Sequence, residues 1–204
     1  MKKIILFGAT GFVGSEILQQ AIHRGFHVKT LVRNPAKLKM MHSLLETVLG
    51  DVSSLEQVER VLEEDALVVS ALSANTIDER ITYIENIIKA MNNKGLSRLI
   101  VLGGAGILQI SETQKLYEGE HFPLELLRFT LGHLGVLAHL KKSGMDYTLV
   151  CPPQILPNPA THNYAVHENY APKGWTINCG DLVHFIMEEV KNNKYIKSQV
   201  SISN

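Results

Sequence analysis

The stretch MKKIILFGATGFVGSEI, residues 1–17, decides the fold because it joins an apolar run to a helical pattern through three glycines. Gly8, Gly11 and Gly14 stand three residues apart at this junction. Glycine weakens a helix or a strand by roughly 0.5–1 kcal/mol relative to alanine, so these glycines indicate a backbone arrangement that a side chain would prevent. The stretch predicts a strand, a tight turn and a helix that begins near Phe12, and such a turn can hold a phosphate group.

Short apolar runs rich in β-branched residues alternate with amphipathic stretches along the rest of the chain. We predict strands at residues 3–7, 27–32, 47–49, 66–72, 98–103 and 146–151, and a last strand in QVSIS. Strongly hydrophobic strands separated by helices predict a parallel sheet that is covered on both faces. The expected fold class is therefore α/β, a doubly wound parallel sheet of the Rossmann type, in a single domain of residues 1–204.

The composition excludes several classes of function. Lys and Arg together number 20, as do Asp and Glu, so no net field draws the chain to nucleic acid or to an anionic membrane. The sequence contains no run of about 18 apolar residues, the length that a membrane-spanning helix needs. The two cysteines form no CxxC pair and the nine histidines lack metal-ligand spacing. We expect a soluble, cytoplasmic protein with reduced cysteines and without a metal.

The glycine turn has two possible roles. In an open parallel sheet the first strand-to-helix turn carries the phosphate site. Bare backbone at Gly8 and Gly11 would let a pyrophosphate approach the free N–H groups of the helix, while Gly14 would let the helix pack closely on the strand. The spacing is GxxGxxG rather than GxGxxG, and a tight turn without a ligand is the alternative.

The end of the second predicted strand bears on the cofactor. NAD-binding chains usually place an acid there for the ribose 2′-OH, whereas NADP needs a cation for its 2′-phosphate. LVRNPAKL instead offers Arg33 and Lys37, which favours NADP(H) over NAD(H), although both side chains could be ordinary solvated charges. Asp51, after the third strand, could accept from the adenine amino group or cap the helix that starts near Ser54.

Taken together, GATGFVG, LVRNPAK, GDV, ALSAN, GGAG and SGMDYTLVCPPQIL resemble the atypical short-chain dehydrogenase/reductase family, most closely its small flavin reductase and biliverdin-IXβ reductase group. The resemblance covers nearly the whole chain. It implies a cofactor site in five parts: Thr10, Gly11, Phe12 and Val13 at the pyrophosphate; Arg33 and Lys37 at the 2′-phosphate; Asp51 and Val52 at the adenine; Ala71, Leu72 and Ser73 beneath the ribose; and Leu102, Gly103 and Pro152 near the nicotinamide.

The chain departs from that family at the proton donor. Standard members use a serine and YxxxK, but Phe129 and His133 stand where the tyrosine and lysine are expected, and Gly104 stands where the serine is expected. Reduction of a ketone forms an alkoxide, whose conjugate acid is about as weak as water with a pKa of roughly 15.7, so a positioned acid matters there. A conjugated ring system delocalises the added charge. The resemblance therefore implies hydride transfer to a planar acceptor such as a flavin, a bilin or a quinone.

Two residues are candidates for catalysis. His133 could donate a proton, because an unperturbed histidine titrates near pH 6.5, or it could simply pack. Gln154 could orient a substrate carbonyl or the nicotinamide amide, or it could cap a turn. Residues 104–175 contain the expected substrate-covering segments, where Tyr117, His121, Phe122 and Trp175 could cover the substrate or anchor a small core. The missing YxxxK also permits a second function, a non-catalytic NADP(H) sensor that resembles the NmrA-like regulators.

Overall fold

The computed structural model describes residues 3–204. The secondary structure runs β1 (Lys3–Phe7), α1 (Phe12–His23), β2 (His27–Val32), β3 (Leu45–Leu49), α2 (Leu55–Val61), β4 (Leu67–Ser70), α3 (Ile77–Asn93), β5 (Arg98–Leu102), α4 (Leu124–Lys142), β6 (Asp146–Cys151), β7 (Gln154–Leu156), β8 (Ala165–Glu168), β9 (Thr176–Asn178), α5 (Cys179–Asn192) and β10 (Ser198–Ser203). Within these residues no helix combines the length and apolarity needed to cross a bilayer.

The main sheet has the strand order β3-β2-β1-β4-β5-β6-β10-β8. All neighbours are parallel except β8, which pairs antiparallel with β10 at the edge. The order reverses between β1 and β4, and in an open α/β sheet such a reversal opens a crevice for ligands at the carboxyl ends of the strands. The doubly wound sheet is confirmed, but the prediction missed its antiparallel edge strand and the separate parallel pair of β7 and β9.

Each face of the sheet has its own apolar core. Successive residues of a strand point to opposite faces, and β1 is apolar at both sets of positions. Ile5 and Phe7 pack in the core beneath α2, α3 and α4. Ile4 and Leu6 pack in the opposite core against α1 and α5. Because both faces are covered, the carboxyl edge of the sheet is left as the surface where a ligand can reach the strand ends.

The proline-rich tract after β6 is held in place by one buried carboxylate. This tract, residues 152–164, contains β7 and the loop that follows. Asp181 on α5 accepts hydrogen bonds from the backbone N–H groups of Thr161 and His162, from the Thr161 hydroxyl, and from the side-chain amides of Asn178 and Asn204. These five bonds fix the loop after β7 against the start of α5 and the end of the chain.

Candidate active site

The turn between β1 and α1 can only be built from glycine at two of its three positions. Gly8 has φ +89°, and a Cβ there would lie 2.5 Å from the carbonyl oxygen of Ala71. A Cβ on Gly14 would overlap the carbonyl of Gly8. The turn is closed by a 2.9 Å hydrogen bond from the Gly11 N–H to the Gly8 carbonyl. Backbone contact therefore fixes the first turn of α1 against the end of β1.

Gly11, in contrast, is exposed. It is the N-cap of α1 and provides no side-chain cap, and the first turn of the helix contains no acidic residue. A Cβ at this position would meet only the Gly8 carbonyl oxygen, at 3.3 Å. Thr10 and Phe12 are exposed beside it, whereas Val13 is buried beneath. Uncapped N–H groups next to a bare backbone fit a diphosphate, so the residues of this turn fit the dinucleotide that the sequence implies.

The end of β2 presents two cations to solvent. Arg33 and Lys37 are both exposed, and the Arg33 Nε lies 3.9 Å from Asp51 Oδ2. The other Asp51 carboxylate oxygen accepts from the backbone N–H of Ser53. The N-cap of α2 is Ser54, not Asp51, because the Ser54 hydroxyl accepts from the Gln57 N–H. The alternative that Asp51 caps α2 is therefore wrong, and its carboxylate faces Arg33 instead.

The remaining expected cofactor residues lie along the same edge of the sheet. Ala71, Leu72 and Ser73 follow β4 directly, and Val52 is buried after β3. Gly103 follows β5, where its N–H donates to the Val150 carbonyl on β6. Leu102 is the last residue of β5, and Pro152 directly follows β6. The structure thus places the sequence-predicted cofactor residues at the carboxyl ends of six neighbouring strands, β1 to β6.

A cleft of about 550 Å³ opens beside Gly103, and every residue that lines it lies between positions 103 and 175. Phe122, Phe129 and Trp175 supply aromatic surface, and Gln154 and His133 supply polar groups. Trp175 is 72% exposed at the rim. Of the four residues named for the covering segment, Phe122 and Trp175 reach the cleft, whereas Tyr117 and His121 are not among its lining residues. Gln154 is the first residue of β7, and its side chain is exposed.

His133 lies largely buried on α4 at the inner wall of the cleft. A Cβ at Gly104 would stand 3.2 Å from its Cδ2 and 3.4 Å from its Nε2, so the imidazole packs where a serine side chain would begin. Its Nδ1 is buried and has no hydrogen-bond partner among residues 3–204. Burial, together with the positive charge of Arg80, lowers the pKa of His133 to about 3. The pKa therefore lies well below the 6.5 of an unperturbed histidine, and the ring is neutral at pH 7.

Arg80 and Gly132 were not predicted from the sequence to be site residues. Arg80 begins on α3 but its side chain packs on the backbone of α4 at Gly132, next to His133. A lone arginine near the start of a helix gives no local signal of this contact. No group of three His, Cys, Asp or Glu side chains in the described part of the chain is arranged to hold a metal ion.

A family model for NAD(P)H-binding proteins matches residues 8–193, which is most of the chain. The protein belongs to this NAD(P)H-binding family. The match includes the glycine turn, the ends of β2, β4 and β5, and the whole cleft. The family assignment therefore agrees with a dinucleotide site along the carboxyl ends of the parallel strands.

Individual relatives support the family fold. A candidate epimerase from Bacteroides thetaiotaomicron is 29% identical, with a TM-score of 0.91 over 99% of this chain and 96% of that chain. A candidate NADH-flavin reductase from Streptococcus pneumoniae is 24% identical, with a TM-score of 0.85 over 99% of each chain. YwnB of Bacillus subtilis is 34% identical over 131 residues, 61% of this chain and 59% of YwnB. The chain spans about three fifths of the length of the curated relatives that it matches first.

Proposed function

We propose that the protein is an NADPH-dependent reductase that transfers a hydride to a planar conjugated acceptor, such as a flavin, a bilin or a quinone. One observation carries this proposal. Among the residues that line the cleft, His133 is the one titratable side chain, and burial keeps it neutral. A neutral imidazole with a pKa of about 3 is a poor proton donor to an alkoxide. An acceptor that spreads its new charge over a ring system does not depend on such a donor.

The shape of the cleft supports the same class of acceptor. Phe122, Phe129 and Trp175 offer flat apolar faces for stacking, and offset stacking of aromatic rings contributes about 0.5–1.5 kcal/mol beyond burial. The cleft opens to solvent on the Trp175 side, so water can deliver a proton. The solved relative named as a candidate NADH-flavin reductase shares this fold.

Different residues along the carboxyl edge of the sheet bind the cofactor and the acceptor. The glycine turn and α1 hold the diphosphate, and Arg33 with Lys37 binds the 2′-phosphate, which gives a preference for NADPH. Gly103 and Pro152 shape the floor beside the acceptor cleft. His133 offers a neutral hydrogen-bonding group and Gln154 an amide to the reacting rings. When bound, the reduced nicotinamide supplies the hydride.

The test mixes purified protein with NADPH and, separately, FMN, FAD, biliverdin or a soluble quinone, and follows nicotinamide absorbance. Turnover with at least one planar acceptor, and none with simple ketones, is the expected result. Tight NADPH binding without turnover of any planar acceptor would overturn the reductase proposal and would favour the non-catalytic NADP(H) sensor. Turnover of a ketone at a comparable rate would contradict the argument from the missing acid.

A further inference from the structure

The strongest unexplained feature near the site is the guanidinium of Arg80. Its side chain crosses from α3 to α4, where a Cβ on Gly132 would lie 3.0 Å from Arg80 Cδ and 3.1 Å from Nε. Arg80 also borders a small gap of about 20 Å³ together with Ser70, Leu72 and Leu102. Those three residues mark the carboxyl ends of β4 and β5. The arginine therefore lies beneath the edge that carries the cofactor residues.

The charge of Arg80 has no partner among the residues that the structure describes. Within residues 3–204 no acceptor lies within hydrogen-bond distance of its guanidinium and no carboxylate oxygen lies within 4.0 Å. The carboxylate that acts on it electrostatically is Glu79, whose two oxygens accept from the Tyr83 hydroxyl and the Asn75 N–H. An arginine carries five N–H donors and stays protonated in proteins. A partly buried guanidinium without acceptors is costly, so its position calls for oxygen atoms from a ligand.

A second unpartnered group adjoins it. His133 follows Gly132 in the chain, and its buried Nδ1 lacks a hydrogen-bond partner among the described residues. Two polar side chains without partners therefore stand on either side of one glycine, at the end of the sheet where ligands bind. The other titratable groups around Arg80 are Glu79 and Tyr83, and these already bond to each other. Packing alone gives no reason for two such groups to be placed together.

We infer that Arg80 binds the dinucleotide, by donating hydrogen bonds to oxygen atoms of its nicotinamide half. This inference rests on the proposed function for the identity of the ligand. The occupant is the dinucleotide rather than the acceptor because Arg80 borders Leu72 and Leu102 and is not a lining residue of the acceptor cleft. Ribose hydroxyls and phosphate oxygens are the acceptors that this half of the molecule brings. A Cβ on Gly132 would press on the Arg80 side chain at Cδ and Nε, so glycine at this position leaves the arginine its observed path along α4.

The test compares a whole dinucleotide with its adenosine half. Calorimetry measures the Kd of NADPH and of adenosine 2′,5′-bisphosphate for the wild-type chain and for Arg80→Met, which keeps an unbranched apolar stem. We expect the Kd of NADPH to rise at least tenfold, and the Kd of adenosine 2′,5′-bisphosphate to stay within twofold. Arg80→Lys, which keeps the charge but not the planar fork, should give an intermediate loss. Lys89→Met, an exposed change on the same helix, should alter neither.

Other outcomes overturn the inference. Unchanged NADPH affinity in Arg80→Met would remove Arg80 from the site, and an equal loss for both ligands would assign it a general structural role. If Arg80→Met does not fold, as judged by thermal unfolding, Gly132→Ala serves instead, with the same pair of Kd values and the same expected split. The wild-type chain separates the two proposals: NADPH binding without turnover sinks the reductase alone, whereas failure to bind NADPH sinks both.

Discussion

The backbone carbonyl of Gly8 packs against Gly14 so closely that a Cβ on residue 14 would overlap it. Gly11 lies between the two in sequence but is exposed, and a Cβ there would meet one atom, the Gly8 carbonyl oxygen, at 3.3 Å. One motif thus contains glycines of two kinds. Gly8 and Gly14 are needed by the fold, whereas Gly11 leaves space free beside the helix N-terminus.

We predict that alanine at Gly14 impairs mainly folding, whereas alanine at Gly11 impairs mainly cofactor binding. Gly14→Ala should lower the free energy of unfolding by about 2 kcal/mol or more, because backbone atoms must move apart. Gly11→Ala should cost less than about 1 kcal/mol, since its φ of −81° suits any residue. Its methyl group should still weaken NADPH binding at least tenfold. Urea unfolding measures the free energy of unfolding of each variant, and calorimetry measures its Kd for NADPH. Unimpaired NADPH binding by Gly11→Ala would contradict a phosphate site at this turn.

The sequence predicted the parts of the fold that local pattern specifies. The apolar run of residues 3–7 and the glycines that end it lie within one short stretch of sequence, so both the strand and the turn could be predicted from it. The short strands β7 and β9, three residues each, were missed because their pairing joins Gln154 to Thr176 across a loop. Arg80 was missed for the same reason, because its environment is set by Gly132 on another helix. Contacts between distant segments leave no periodic signal.

Arg33→Ala should separate the two nicotinamide cofactors. Arg33 is exposed, with Asp51 at 3.9 Å, so a 2′-phosphate can reach it without breaking a buried bond. We expect the Kd of NADPH to rise at least tenfold and the Kd of NADH to change less than threefold, because NADH lacks that phosphate. Titrations of both cofactors, with exposed Arg60→Ala as the control, provide the measurement. An equal loss for NADH would refute a role in 2′-phosphate binding.

His133 should not titrate in the physiological range. Burial lowers its pKa to about 3, so between pH 5 and 8 its ring proton signals in an NMR titration should stay constant. The unfolded chain takes up a proton on this ring as the pH falls below about 6.5. The folded chain does not, so this histidine makes stability fall between about pH 6.5 and 3. His133→Asn should flatten that part of the stability curve, and a titration midpoint near 6.5 would show that the imidazole is solvated.

Trp175 provides an optical signal for the acceptor cleft. It is the chain's one tryptophan, and it lies 72% exposed at the rim. A flavin that stacks in the cleft should quench its fluorescence, and Trp175→Leu should raise the Kd of FMN about three- to tenfold through the lost stacking area. The Kd of NADPH should not change in that variant. Quenching by NADPH but not by any planar acceptor would place the acceptor elsewhere.

Asp181→Asn tests the five hydrogen bonds by which the Asp181 carboxylate holds the chain after β7. Burial alone would raise the pKa of this carboxyl, but hydrogen bonds from Asn204, Thr161 and His162 lower it overall. The carboxylate therefore stabilises the fold above its unfolded pKa of about 3.9, and that contribution is lost as the pH falls further. Asparagine would turn an N–H₂ group toward donors that need an acceptor, so unfolding at pH 7 should become easier by about 2–4 kcal/mol.

The pH dependence of the free energy of unfolding distinguishes loss of the Asp181 charge from a poor fit of the asparagine side chain. The stability difference between wild type and Asp181→Asn should shrink as the pH is lowered from 5 toward 3, because the wild-type carboxyl then loses its advantage. Urea unfolding at several pH values measures it, with the exposed Glu64→Gln as a control that should shift stability by less than about 0.5 kcal/mol at any pH. A constant difference across that range would mean that the charge of Asp181 contributes nothing, and that the five bonds act through shape alone.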